Sequence, residues 1–137
     1  EILDDDNKWF CDGCKTKKNA IRSTSIWTVP NILIVHLKKF TSKGEKIDKQ
    51  INFDINNMDM TKYMSNNNKK KVSRPSEVFE LYATSNHSGN EQGGHYWSYC
   101  KRDDKWFNFN DSEVSEISED RIICPENYVL FFKRKGH

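Results

Sequence analysis

The sequence predicts an α+β domain, mainly antiparallel β-sheet with few short helices, and three observations support this. From Glu77 onward four strand-like runs, "EVFELYATSNHS", "HYWSYCK", "KWFNFND" and "YVLFFKRK", succeed one another with turn residues between them, the arrangement of an antiparallel sheet. Earlier, "AIRSTSIWTV" and "ILIVHLKKF" are rich in β-branched and aromatic residues. Helical spacing is confined to short stretches, the best being "NMDMTKYM", where Met60, Tyr63 and Met64 recur one turn apart.

Each element follows in order. The opening residues, "EILDDDNK", are acidic, lack an initiator Met and contain no capped element, so the chain reads as cut from something longer. "WFCDGCK" places Cys11 and Cys14 in a C-x-x-C with glycine in the loop, the spacing of a zinc knuckle. Two strands follow across Pro30-Asn31. In the second, Leu33, Val35 and Leu37 share one face while Ile34, His36 and Lys38 share the other. His36 reads as a core or half-buried histidine with a hydrogen-bond partner rather than a ligand, since no acid or thiol accompanies it. "TSKGEK" is a turn, "IDKQINFDI" a further strand, and "NMDMTKYM" a short helix that Asn57 or Asp59 can cap. Residues 66–74 are polar and unpatterned and read as a flexible insertion. Between the last two strands, "SEVSEISEDRII" suits a short helical turn started by Ser115 or Ser118.

Composition narrows the function. The 137 residues suit one domain, and 22 Lys+Arg against 20 Asp+Glu leave a net charge of +2, too small for a nucleic-acid footprint. No apolar run approaches the ~20 residues of a membrane span, and nothing resembles a signal peptide. The expectation is a soluble chain with neither nucleic-acid nor membrane partners. Four cysteines, one C-x-x-C pair and two singletons, form no secreted disulfide framework, which points to an intracellular setting, cytoplasmic or nuclear.

The stretch "EQGGHYWSYCKRDDKWFNFND" carries the chemistry. It reads as a β-hairpin turning at Asp103 and Asp104. With the loop centred near residues 102 and 103, paired residue numbers total about 205 or 206, which sets His95 opposite Asn110 or Asp111. A partner of either kind fixes one ring nitrogen and frees the other to act as a base. Gly93 and Gly94 leave space for an extended chain to approach, or simply make a turn.

These segments resemble the ubiquitin-specific proteases, papain-like cysteine peptidases that remove ubiquitin from proteins. "QGGHYWSYCK", "KWFNFNDSEVSEIS" and "YVLFF" resemble the family's histidine box; "WFCDGCKTKKNAIRSTSIWTVPNILIVHLKKF", "INFDINNMDMTKYM" and "LYATSNHSG" resemble its earlier blocks in the same order. The resemblance implies the palm and part of the fingers of that fold, with residues 1–137 as the C-terminal part of a catalytic domain. It makes His95 the general base, Asn110 its orienting residue and Asp111 an adjacent acid that assists or substitutes. Gly93, Gly94 and Tyr96 would line the groove for the Gly-Gly tail of ubiquitin, whose ubiquitinated conjugates are the implied partners.

The departures are equally informative. The family's Asn-x-x-Cys-Tyr nucleophile block is absent, and no cysteine here replaces it, so the 137 residues alone are expected to be inactive and, with apolar surface uncovered, to self-associate. The resemblance implies catalysis without a cofactor. Cys11 and Cys14 match half of a structural four-thiolate zinc site; the alternatives are free thiols or a local disulfide. A non-catalytic ubiquitin-binding module of the same fold is the competing function, and a zinc-ribbon nucleic-acid binder a weaker third.

Overall fold

In the computed structural model, which describes residues 1–65, 77–90 and 92–136, the dense apolar runs of the second half pair into one antiparallel sheet. The strands among these residues are β1 (Ile2–Leu3), β2 (Trp9–Cys11), β3 (Thr16–Lys18), β4 (Ala20–Ile21), β5 (Ile32–His36), β6 (Met58–Asp59), β7 (Val78–Asn90), β8 (Gly93–Arg102), β9 (Lys105–Asn110), β10 (Glu113–Ile117) and β11 (Asn127–Arg134). The main sheet runs β10-β9-β8-β7-β11-β5, with β6 on the first residues of β7. Two ribbons, β1 with β4 and β2 with β3, stand apart from it. Helical structure among the described residues is three 3₁₀ turns, and none is long and apolar enough to cross a membrane.

Strand alternation sorts the side chains. Phe79 and Leu81 of β7, Leu130 and Phe132 of β11 and Trp106 of β9 form a buried cluster with Ile122 and Met60, against which Leu33, Val35 and Leu37 pack as their parity predicts. Phe79, Leu81, Ile122 and Phe132 are wholly excluded from solvent, each stabilising the fold by about 1.5–3 kcal/mol relative to exposure. A buried polar network centres on Asn127, whose Nδ2 donates to Asn86 Oδ1 and to the Ile122 carbonyl, while its Oδ1 accepts the Cys124 N–H. Lys39 is buried too, its Nζ donating to the Lys49 and Pro125 carbonyls, and burial followed by the nearby Lys46 charge lowers its pKa.

Several expectations are corrected. His36 is exposed, because β5 is the sheet edge and alternation turns His36 outward; its ring meets Tyr128 edge-on at 4.8 Å. "AIRSTSIWTV" is a strand only at Ala20–Ile21, which pair with β1, plus a single bridge from Ile26 to Met64; without a neighbouring strand the remaining amides gain nothing from extension. "IDKQINFDI" likewise lacks a partner strand and is irregular, though Phe53 and Ile55 reach the core. The helix expected in "NMDMTKYM" is a 3₁₀ turn at Thr61–Tyr63, with Asp59 Oδ1 accepting the Thr61 N–H as a cap would. Within "SEVSEISEDRII" the first half is β10, and only Glu119–Arg121 turn, after Ser118. The insertion expected at 66–74 lies outside the described residues.

Candidate active site

β8 and β9 form a two-residue hairpin. Arg102 pairs with Lys105, and both loop residues, Asp103 and Asp104, adopt left-handed backbone (φ 49° and 60°), the requirement of a type I′ turn that aspartate tolerates. The loop centre is therefore Asp103-Asp104, not residues 102 and 103, and the ladder is displaced from the expected register. Continued beyond Ser98–Phe109, it sets Asn110 opposite Trp97 rather than opposite His95.

The predicted contact nevertheless forms, along the diagonal. His95 Nε2 lies 2.5 Å from Asn110 Oδ1, a reach that neighbouring pairs on one sheet face allow. His95, Trp97 and Asn110 share the face that carries the core, at its open end, and the His95 and Trp97 rings lie nearly parallel at 6.0 Å. An amide oxygen only accepts, so in the neutral ring Nε2 carries the hydrogen and Nδ1 the lone pair. His95 is exposed and Asn110 half-buried, which leaves that lone pair open to a reacting group. Asp111 sits next in the chain at the β9–β10 turn, exposed and left-handed (φ 53°), with no hydrogen bond to His95 among the described residues.

Gly93, Gly94 and Tyr96 line one cavity of about 360 Å³ with Phe40, His87 and Tyr128. Alternation sends Gly94 and Tyr96 to the face of β8 opposite His95, so these two line the cavity from the other side of the strand, and His95 is not among the residues that line it. The two glycines differ. A Cβ at Gly93 would meet nothing, whereas one at Gly94 would overlap the Ser88 carbonyl oxygen and His87 Nε2, so the space expected beside Gly94 is occupied by the protein itself. Sequence reasoning missed His87, although the β7–β8 hairpin pairs it directly with Tyr96. Tyr128 was also missed: a register shift between Asn127 and Val129 frees it from the ladder and aims it at His36, Phe40, His87 and Tyr96.

The thiols lie elsewhere. Cys100 is on β8 at opposite parity to His95, and burial raises the pKa of the Cys124 thiol. Cys11 and Cys14 cap the β2–β3 ribbon, where the backbone N–H of Cys14, then its side chain and the Gly13 N–H, lower the Cys11 pKa. A thiolate-favouring turn of this kind suits a metal knuckle, but no group of three or more His, Cys, Asp or Glu able to hold a metal occurs among the described residues.

Residues 6–132 match the sequence pattern of the ubiquitin carboxyl-terminal hydrolase family. Putative ubiquitin carboxyl-terminal hydrolase 11 of Arabidopsis thaliana is 42% identical over 139 residues, covering 98% of this chain and 15% of that protein. Ubiquitin carboxyl-terminal hydrolase 15 of Homo sapiens is 38% identical over 140 residues, 98% of this chain and 14% of its own. Among solved structures, a Ubp8 chain in a SAGA DUB module bound to monoubiquitin superposes with a TM-score of 0.78 at 31% identity, covering 95% of this chain and 29% of that one. The corresponding module bound to ubiquitin aldehyde gives 0.77 at 28% identity, over 97% and 30%. The chain thus spans about a seventh of the curated relatives and under a third of the solved chains.

Proposed function

The chain belongs to the ubiquitin carboxyl-terminal hydrolase family, and from that premise we propose that it carries the general base of a thiol-dependent deubiquitinase cleaving the peptide or isopeptide bond after the C-terminal glycine of ubiquitin. The observation that supports this is the exposed His95 imidazole tied through Nε2 to Asn110, with Nδ1 unencumbered. Nδ1 takes the proton of a cysteine thiol delivered by polypeptide outside these 137 residues. The thiolate attacks the glycine carbonyl carbon, His95 returns the proton to the leaving amine, and a water deprotonated at the same nitrogen hydrolyses the thioester. Asn110 holds the ring through both steps, and Asp111 is the adjacent acid, next in the chain. Gly93, Gly94 and Tyr96 border the groove for the substrate tail. The four free thiols fit an intracellular setting.

Cys11 and Cys14 supply two ligands of a structural zinc site completed by residues outside the chain; bound zinc would hold the β2–β3 ribbon closed and takes no part in hydrolysis. Joining the chain to its upstream polypeptide and following hydrolysis of a fluorogenic ubiquitin C-terminal amide tests the function. Turnover by the wild type and its loss in His95→Ala are expected. Undiminished turnover in His95→Ala rejects the base, and ubiquitin binding without any turnover replaces the enzyme with a binding module.

A further inference from the structure

Both residues that flank His95 in sequence rest on one buried side chain. His87 of β7 is 4% exposed, pairs with Tyr96 in the ladder and packs its ring on the Tyr96 ring with centroids 4.5 Å apart. On the other side of His95, the imidazole fills the slot that a Cβ at Gly94 would need. The His87 backbone is pinned in turn: its N–H donates to the Glu126 carbonyl at 2.9 Å, and its carbonyl accepts Lys46 Nζ at 2.8 Å. Residues 94 and 96 therefore lie against a fixed block, and His95, at opposite parity, projects from the short backbone span held between them.

We propose that His87 is a positioning residue for His95: its neutral ring, wedged against Gly94 and Tyr96, sets the start of β8 so that the His95 imidazole meets Asn110. The ring must stay neutral, because its Nδ1 is buried without a partner among the described residues and the Lys46 ammonium sits 2.8 Å from the His87 carbonyl oxygen. Other titratable residues in contact with it are Tyr96 on β8 and Tyr128 on β11, whose rings pack on it, and Glu126, whose backbone carbonyl accepts its N–H; Asp48 lies 3.5 Å from Lys46 Nζ. None offers His87 a counter-charge in direct contact. Burial first, and Lys46 second, hold its pKa below the ordinary histidine value. This role rests on the reading of His95 as the base, but the placement of the ring is measurable without any substrate.

The test uses the full-length protein with histidine-labelled imidazoles, comparing wild type, His87→Ala and His87→Phe. Removing the ring in His87→Ala should shift the His95 imidazole resonances and its titration midpoint. Turnover of the fluorogenic ubiquitin substrate should fall by about 10²-fold in kcat, the scale expected from a misplacement of about 1 Å, with KM within about twofold. His87→Phe, which refills the slot with a planar ring, should bring back the His95 resonances and most of kcat. Unmoved His95 resonances in a folded His87→Ala protein overturn the proposal, as does a raised KM at unchanged kcat, which would make His87 a wall of the groove only. If the wild type turns over no ubiquitin substrate, the deubiquitinase reading fails while the resonance comparison still decides the placement.

Discussion

Asn110 meets His95 from a diagonal position across the β8–β9 ladder, Oδ1 to Nε2 at 2.5 Å, while Asp111 lies in the following left-handed turn. The side chain that fixes the tautomer is thus an uncharged amide. In the full-length protein Asn110→Ala should lower kcat/KM by about 10²-fold or more. Asn110→Asp, which retains an acceptor at the same reach, should lie within about tenfold of wild type, and Asp111→Ala should cost less than Asn110→Ala. Steady-state kinetics on the fluorogenic ubiquitin substrate give the order; a larger loss at Asp111 would reverse the assignment.

The adjacent glycines should separate cleanly. Gly94→Ala forces its Cβ onto the Ser88 carbonyl and the His87 ring, overpacking that costs about 1–3 kcal/mol. Gly93→Ala meets open space and has no left-handed backbone, so its stability should stay within about 1 kcal/mol of wild type. Urea denaturation of the two variants measures the contrast.

Asn127 is the hub of the buried polar network, bonded to Asn86, Ile122 and Cys124. Asn127→Ala removes a partner from all three, leaving Asn86 Oδ1 with only the Thr84 hydroxyl, and a loss of about 3 kcal/mol is expected. A midpoint in urea lowered at unchanged slope would report it.

His87 also makes stability depend on pH. Its folded-state pKa is depressed by burial and by Lys46, so above the ordinary histidine value both states are neutral and its contribution is complete. As pH falls below about 6.5, the unfolded chain takes up a proton that the folded chain resists, and stability drops until the depressed folded value is passed. Thermal scans from pH 7.5 to 5.5 should show a steeper fall in Tm for wild type than for His87→Phe.

Thiol reactivity should follow the local environment. Backbone N–H groups of Cys14 and Gly13 lower the Cys11 pKa, whereas burial raises that of Cys124. After chelation of any bound metal, timed iodoacetamide labelling at pH 7 read by mass spectrometry should modify Cys11 well before Cys124. Protection of Cys11 and Cys14 on adding zinc is the expected companion result.

The residue pattern alone determined the antiparallel sheet, the inward face of β5 and a β8–β9 hairpin that brings His95 near Asn110, because alternation and hairpin closure are local properties of a few neighbouring residues. It also pointed to the family through motifs whose order survives in the primary sequence. What tertiary structure decided was everything that depends on a distant neighbour. Whether "AIRSTSIWTV" and "IDKQINFDI" stay extended turns on a partner strand they do not find. His36 is exposed because β5 ends the sheet, and the choice of Asn110 follows from a register shift too small for turn chemistry to predict. The buried seat of His87 beneath Gly94 and Tyr96 needs β7, β8 and β11 together, since a side chain's burial is set by what packs across from it rather than by its own position in the chain.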